Sequence, residues 1–143
     1  MTPEQIRLVR HTFDLARPKA NVVALVFYQR LFALDPAVRP LFKTDIEEQS
    51  RKLMEMLAAM IDLLEKPLVF TPFVEELGRR HVGYGVKDEH YDTVGTALLD
   101  AFARALGNAF TPAARQAWTA LYSLVATTMI NAAAASRDRS GGR

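Results

Sequence analysis

The stretch TPFVEELGRRHVGYGV, from Thr71 to Val86, decides how the rest of this chain is read. Thr71 offers a hydroxyl to cap a helix, Pro72 suits the first helical position, and Glu75 and Glu76 stand four residues before Arg79 and Arg80. The stretch is therefore expected to open as a helix at Thr71. Phe73, Val74, Leu77 and His81 fall on one apolar stripe, and Gly83 and Gly85 follow as helix-ending residues. His81 is thus the last inward residue of a short helix. An imidazole aimed into an apolar interior is either a core histidine satisfied by a hydrogen bond or a metal ligand, and this stretch alone leaves both open.

The segments on either side read as helices too. Downstream, Asp88 is expected to cap a helix whose stripe is Tyr91, Val94, Leu98, Phe102 and Ala105 and which stops at Gly107. Thr111-Pro112 opens the last helix, with Trp118, Leu121, Val125 and Met129 inward. At the start of the chain, Thr2-Pro3-Glu4-Gln5 is a capping box for a helix with Ile6, Val9, Phe13 and Ala16 on one face, broken by Pro18. Asn21 is the expected cap of a second helix, Val22 to Leu34, apolar on nearly every side and therefore expected to be buried. Asp35-Pro36 starts a short helical turn that Pro40 limits and that delivers Leu41 and Phe42 inward. Thr44 with Glu47 forms a further capping box, for a helix running to about Lys66 with Ile46, Leu53, Leu57, Met60 and Leu64 on its stripe. No β-branched run alternates with polar residues and no 20 to 50 residue repeat occurs. The class is all-α.

Three polar residues interrupt those apolar faces. Tyr28 lies in the middle of the second helix, Gln49 between Ile46 and Leu53, and His81 at the end of its stripe. Each has an ordinary reading as a satisfied core group, or, for Gln49, as an exposed first-turn amide. Together they have the makings of a cavity around a polar or metallic centre. His11 and His90 are expected to face solvent, and no second inward His or carboxylate stands at i+3 or i+4. One imidazole cannot hold a bare ion tightly. It suffices for a metal whose other ligands arrive in a macrocycle, as in haem.

Composition excludes several classes. At 143 residues the chain is one domain, with a core over residues 1–135 and a polar, Gly-rich tail over 136–143 that is expected to be disordered. Without Cys there is no disulfide, zinc-thiolate site or thiol nucleophile. Met1-Thr2-Pro3-Glu4 lacks the features of a secretory signal, so a cytoplasmic location is expected. The most apolar segment, 120–135, carries Ser123, Thr127, Thr128 and Asn131 and is too short and polar to span a bilayer. The net charge of +2 belongs to the tail: 15 basic and 15 acidic residues remain without its three arginines and Asp138. No nucleic-acid partner is expected.

Several motifs carry a family likeness. FYQRLF (Phe27 to Phe32), DPAVRPLF (Asp35 to Phe42), QSRKLM (Gln49 to Met54), LGRRHVGYGV (Leu77 to Val86), HYDTVG (His90 to Gly95) and AWTALY (Ala117 to Tyr122) follow one order across most of the chain. In these the chain resembles single-domain bacterial globins of the Hell's Gate globin type and the globin domain of flavohaemoglobins. The resemblance implies a globin fold of about eight helical segments around a haem pocket, with haem b as cofactor. It implies His81 as the iron ligand and Phe42 packed on the porphyrin. Val86 and Tyr91 would also lie on the cofactor side, and Lys52 and Arg80 would partner the propionates. Tyr28, Gln49 and Leu53 would line the distal pocket, where dioxygen, carbon monoxide or nitric oxide binds. The likeness departs at one place: flavohaemoglobins set a tyrosine and a glutamate beside the proximal histidine, and here Tyr91 fits the first position while Ala133 occupies the second.

The expected function is reversible binding of dioxygen and other diatomics, with oxygen carriage and nitric oxide scavenging as roles, by a monomer or weak homodimer. No flavin or nicotinamide segment is expected within the chain, so reduction is assigned to an external reductase and the chain is not expected to be an enzyme by itself. The alternatives are a nitric oxide dioxygenase or nitrogen-oxide reductase working with a separate reductase, and a haem-free helical interaction module.

Overall fold

The computed structural model describes residues 1–42, 45–83 and 85–141, with side chains as far as Arg137. Among these residues six α-helices follow one another: α1 (Pro3–Ala16), α2 (Ala20–Leu34), α3 (Ile46–Asp62), α4 (Pro67–Gly83), α5 (His90–Leu106) and α6 (Pro112–Gly141). Three 3₁₀ segments, Arg17–Lys19, Pro36–Leu41 and Gly107–Ala109, join them, and no strand occurs among the described residues.

Helix starts separate into those set by local chemistry and those set by the preceding chain. At Thr2 the capping box forms as expected, the hydroxyl accepting from Gln5 N and the Gln5 amide oxygen accepting from Thr2 N. Thr111 likewise accepts from Ala114 N, and Asp35 from Ala37 N. Asn21, by contrast, does not cap α2, whose first residue is Ala20 and whose cap position, Lys19, makes no side-chain capping bond and instead donates its Nζ to the Ala105 carbonyl. The chain stays in helical dihedrals at Arg17 and Ala20, so the extended backbone that a capping side chain needs never forms. Thr44 lies outside the described residues. Asp45 accepts from Glu47 N at the head of α3, which ends at Asp62 and not at Lys66.

The helix that carries His81 opens at Pro67 rather than Thr71, which leaves Pro72 inside it. Proline removes one helical donor, and the carbonyl it would have served belongs to Leu68, a residue 91% exposed and open to water. Placed in the second turn on the solvent side, the missing bond does not end the helix. At the other end Gly83 is still helical. Gly85, at φ +84°, makes the turn that a side chain would strain.

The expectation that α2 is buried all round is overturned: Leu25 is 60% exposed and Val22 45%. Its Val23, Phe27, Tyr28 and Leu31 do enter the core, and α5 packs along that face. The other main pairing is α4 on α6, where Gly78 lets the backbones approach so closely that an added Cβ would lie 2.5 Å from the Met129 carbonyl oxygen. α1 crosses α6, and there Trp118 Nε1 donates to the buried Thr12 hydroxyl at 2.6 Å. That hydroxyl donates in turn to the Leu8 carbonyl at 2.7 Å, so both the indole N–H and the buried hydroxyl have partners.

α3 is held differently. Among the described residues it packs lightly on α1 and α2 and has no extensive packing on α4, although the two are consecutive in the chain. Beyond Ala135, where a disordered tail was expected, α6 continues as helix to Gly141.

Candidate functional site

His81 is half-buried in the last turn of α4, with Val74 and Leu77 beneath it on the same buried stripe. Its Nδ1 lies 2.7 Å from the Leu77 carbonyl, one helical turn back. A carbonyl can only accept, so Nδ1 carries the proton and Nε2 carries the lone pair of the neutral ring. Burial holds the imidazole below its ordinary pKa, and the bond to Leu77 opposes part of that shift. The ring is therefore neutral near pH 7, the form in which imidazole binds a metal.

Tyr28 is 5% exposed and sits among aromatic rings, 4.9 Å from Phe27, 5.9 Å from Phe32 and 5.4 Å from Phe42 between centroids. Its hydroxyl makes no hydrogen bond among the described residues. Burial pushes its pKa up to about 12, so it stays a neutral donor. Phe42 closes this cluster with Phe32, whose ring also carries the Arg39 guanidinium at 4.8 Å. Gln49 and Leu53 lie half-buried on the first two turns of α3.

The turn after α4 joins the two sides. Val86 N donates to the His81 carbonyl at 3.1 Å, and Gly85 lies against Leu41, which directly precedes Phe42. Leu41, Phe42, Ile46, Leu53, Phe73, Val86 and Val94 are all only partly buried where they border the core. Tyr91 heads α5, is 9% exposed, and its carbonyl accepts from the Tyr122 hydroxyl.

Lys52 and Arg80 are surface residues paired with Glu48 and Glu76 on their own helices, each at 3.7 Å. Among the described residues neither forms an ion pair with another element. Ala133 is buried. His11 is exposed as expected, but His90 is half-buried and its Nδ1 accepts from Lys87 N at 3.0 Å. Asp88 does not cap α5; it pairs with Arg137 at 3.5 Å. Two notches of about 330 and 220 Å³ lie along the seam between α1 and the α3 region, away from His81, Tyr28 and Gln49.

Among the described residues no three His, Asp or Glu side chains gather to hold a metal ion, and no helix is long and apolar enough to cross a membrane. Among the described residues only His81 offers an inward imidazole nitrogen, suited to a metal that brings its other ligands with it. The sequence reading did not foresee the Leu77 carbonyl as partner of His81, although the four-residue spacing carries that signal. Nor did it single out Phe32, one residue within an apolar helix.

A family model described as Globin matches residues 25–129. The chain belongs to the globin family. This globin is 33% identical over 147 residues to the flavohemoprotein of Bordetella parapertussis, covering 96% of this chain and 37% of that protein. It thus spans little more than a third of the length of that curated relative. A bacterial globin from Campylobacter jejuni superposes with a TM-score of 0.80 at 27% identity, covering 96% of this globin and 99% of that chain. An engineered carbene transferase from Rhodothermus marinus superposes with a TM-score of 0.86 over 99% of both chains, and at 24% identity it shows the fold alone.

Proposed function

We propose that this globin binds one haem b through His81 and reversibly holds dioxygen and other diatomic gases on the side of Tyr28, Gln49 and Leu53. The observation that carries the reading is the state of His81, neutral, inward, with Nδ1 committed to Leu77 and Nε2 left as the lone-pair nitrogen. The other residues fit the group. Half-buried apolar side chains border the core on α3, α4, α5 and the turns, the kind of surface that a flat apolar ring would cover. Tyr28, a buried side chain, supplies a hydroxyl with no hydrogen bond to another described residue. Haem would supply the iron and its four equatorial nitrogens, so one imidazole completes the anchorage.

The chain's own residues then divide the work. Leu77 orients the imidazole and raises its basicity as a ligand. Phe42 and Val86 exclude water from the ring edge. Tyr28 and Gln49 present donors to a gas that gains negative charge, a charge-assisted contact that favours dioxygen over carbon monoxide. Likeness to a flavohemoprotein supports a second reading, nitric oxide consumption with a separate reductase.

Haem titration into purified protein tests the proposal. The expected result is a Soret band saturating at one haem per chain and shifting reversibly with oxygen and carbon monoxide. Failure to develop such a band would leave the haem-free interaction module. Sustained nitric oxide consumption on adding a reductase would select the second reading.

A further inference from the structure

The segment that carries His81 is gripped twice by one helix. Three residues before it, Gly78 lies against the backbone of Met129 on α6. Seven residues after it, Asp88 meets Arg137 of the same helix, Oδ1 to guanidinium nitrogen at 3.5 Å. Met129 and Arg137 are about two helical turns apart, roughly 12 Å along a rigid rod. Between the two anchors the chain is tied by Val86 N to the His81 carbonyl and by Lys87 N to His90 Nδ1. The first anchor is backbone against backbone and has no slack. The second is a half-exposed ion pair, and it alone among these contacts depends on the end of α6.

We propose that Arg137 is a positioning residue for His81: through Asp88 it holds the turn at 85–89 and so sets how the imidazole is presented. The proposal rests on the reading of His81 as the haem ligand. A pair of this exposure is weak, and an ion pair needs no fixed hydrogen-bond geometry to act, so the pair can adjust the turn without deciding whether the protein folds. The span 136–143 thereby gains a role through one of the arginines that account for the charge excess.

The test uses the full chain loaded with haem. Arg137→Gln and Asp88→Asn should each speed amide exchange at residues 85–90 about two- to fivefold, with the α1 and α2 core unchanged. Both should shift or broaden the Raman band of the ferrous iron–imidazole bond, and the charge swap of Asp88→Arg with Arg137→Asp should bring exchange and band back toward the parent. Arg137→Lys should preserve both. Faster exchange with an unmoved band would overturn the positioning role and leave a merely structural pair, and no change in either would overturn the contact itself. A parent band that survives His81→Ala would instead overturn the ligand reading, and the positioning role with it.

Discussion

The Nδ1 of His81 is 2.7 Å from the carbonyl oxygen of Leu77, and this one contact fixes which ring nitrogen carries the proton and which the lone pair. His81→Ala should therefore abolish the five-coordinate ferrous imidazole spectrum, with partial recovery on adding free imidazole. No other described histidine is inward and apolar-lined: His11 is exposed and His90 is engaged with Lys87. A mutant with the parent spectrum would refute the assignment.

In the proposed site, Tyr28 and Gln49 offer two donors to a bound gas. Losing one charge-assisted hydrogen bond costs about 1.5 to 3 kcal/mol, or roughly ten- to a hundredfold in rate at 1.4 kcal/mol per decade. Oxygen should accordingly leave Tyr28→Phe and Gln49→Leu that much faster in stopped-flow displacement, and carbon monoxide should change far less. Because the two donors act on one ligand, the double mutant should lose less than the sum. Parent rates in both single mutants would make these residues ordinary core groups.

Gly78 has no room for a side chain, since an added Cβ would lie 2.5 Å from the oxygen and 2.7 Å from the Cα of Met129. The obstacle is backbone and cannot rotate away. Gly78→Ala should lower stability by about 1 to 3 kcal/mol despite alanine's better helix propensity. Gly83, with nothing within 4 Å of its added Cβ, is the control. Gly83→Ala should be neutral or stabilising by up to about 1 kcal/mol in urea denaturation.

Alkaline titration probes Tyr28 separately. Burial pushes its pKa up to about 12, against an ordinary value of 10.0. Above pH 10 the unfolded chain therefore releases a proton that the folded state keeps, so stability falls as pH rises from about 10 towards 12. Tyr91 and Tyr122, both raised first by burial, act in the same direction. Tyr28→Phe should make the alkaline decline shallower without removing it. An unchanged slope would show that Tyr28 ionises normally.

What the sequence determined by itself is what repeats along a helix. Helical periodicity placed Val9, Phe13, Tyr91, Leu98, Trp118 and Met129 inward, and the structure buries all six. The same rhythm turned Tyr28 and His81 toward the interior, because a helical face is set by spacing alone. Capping at Thr2, Asp35 and Thr111 was equally local. Tertiary structure decided what depends on neighbours. Val22 and Leu25 match the apolar pattern of Val23 and Phe27, yet α5 covers only one side of α2, so burial followed the available partner and not the residue type. Pro72 sits inside α4 because its lost hydrogen bond faces water. Asp88 left its expected cap for an arginine 49 positions away on α6, and Thr12 met Trp118 across 106 positions. A periodicity carries no record of such pairs, since the energy of each depends on two segments that only the folded chain brings together.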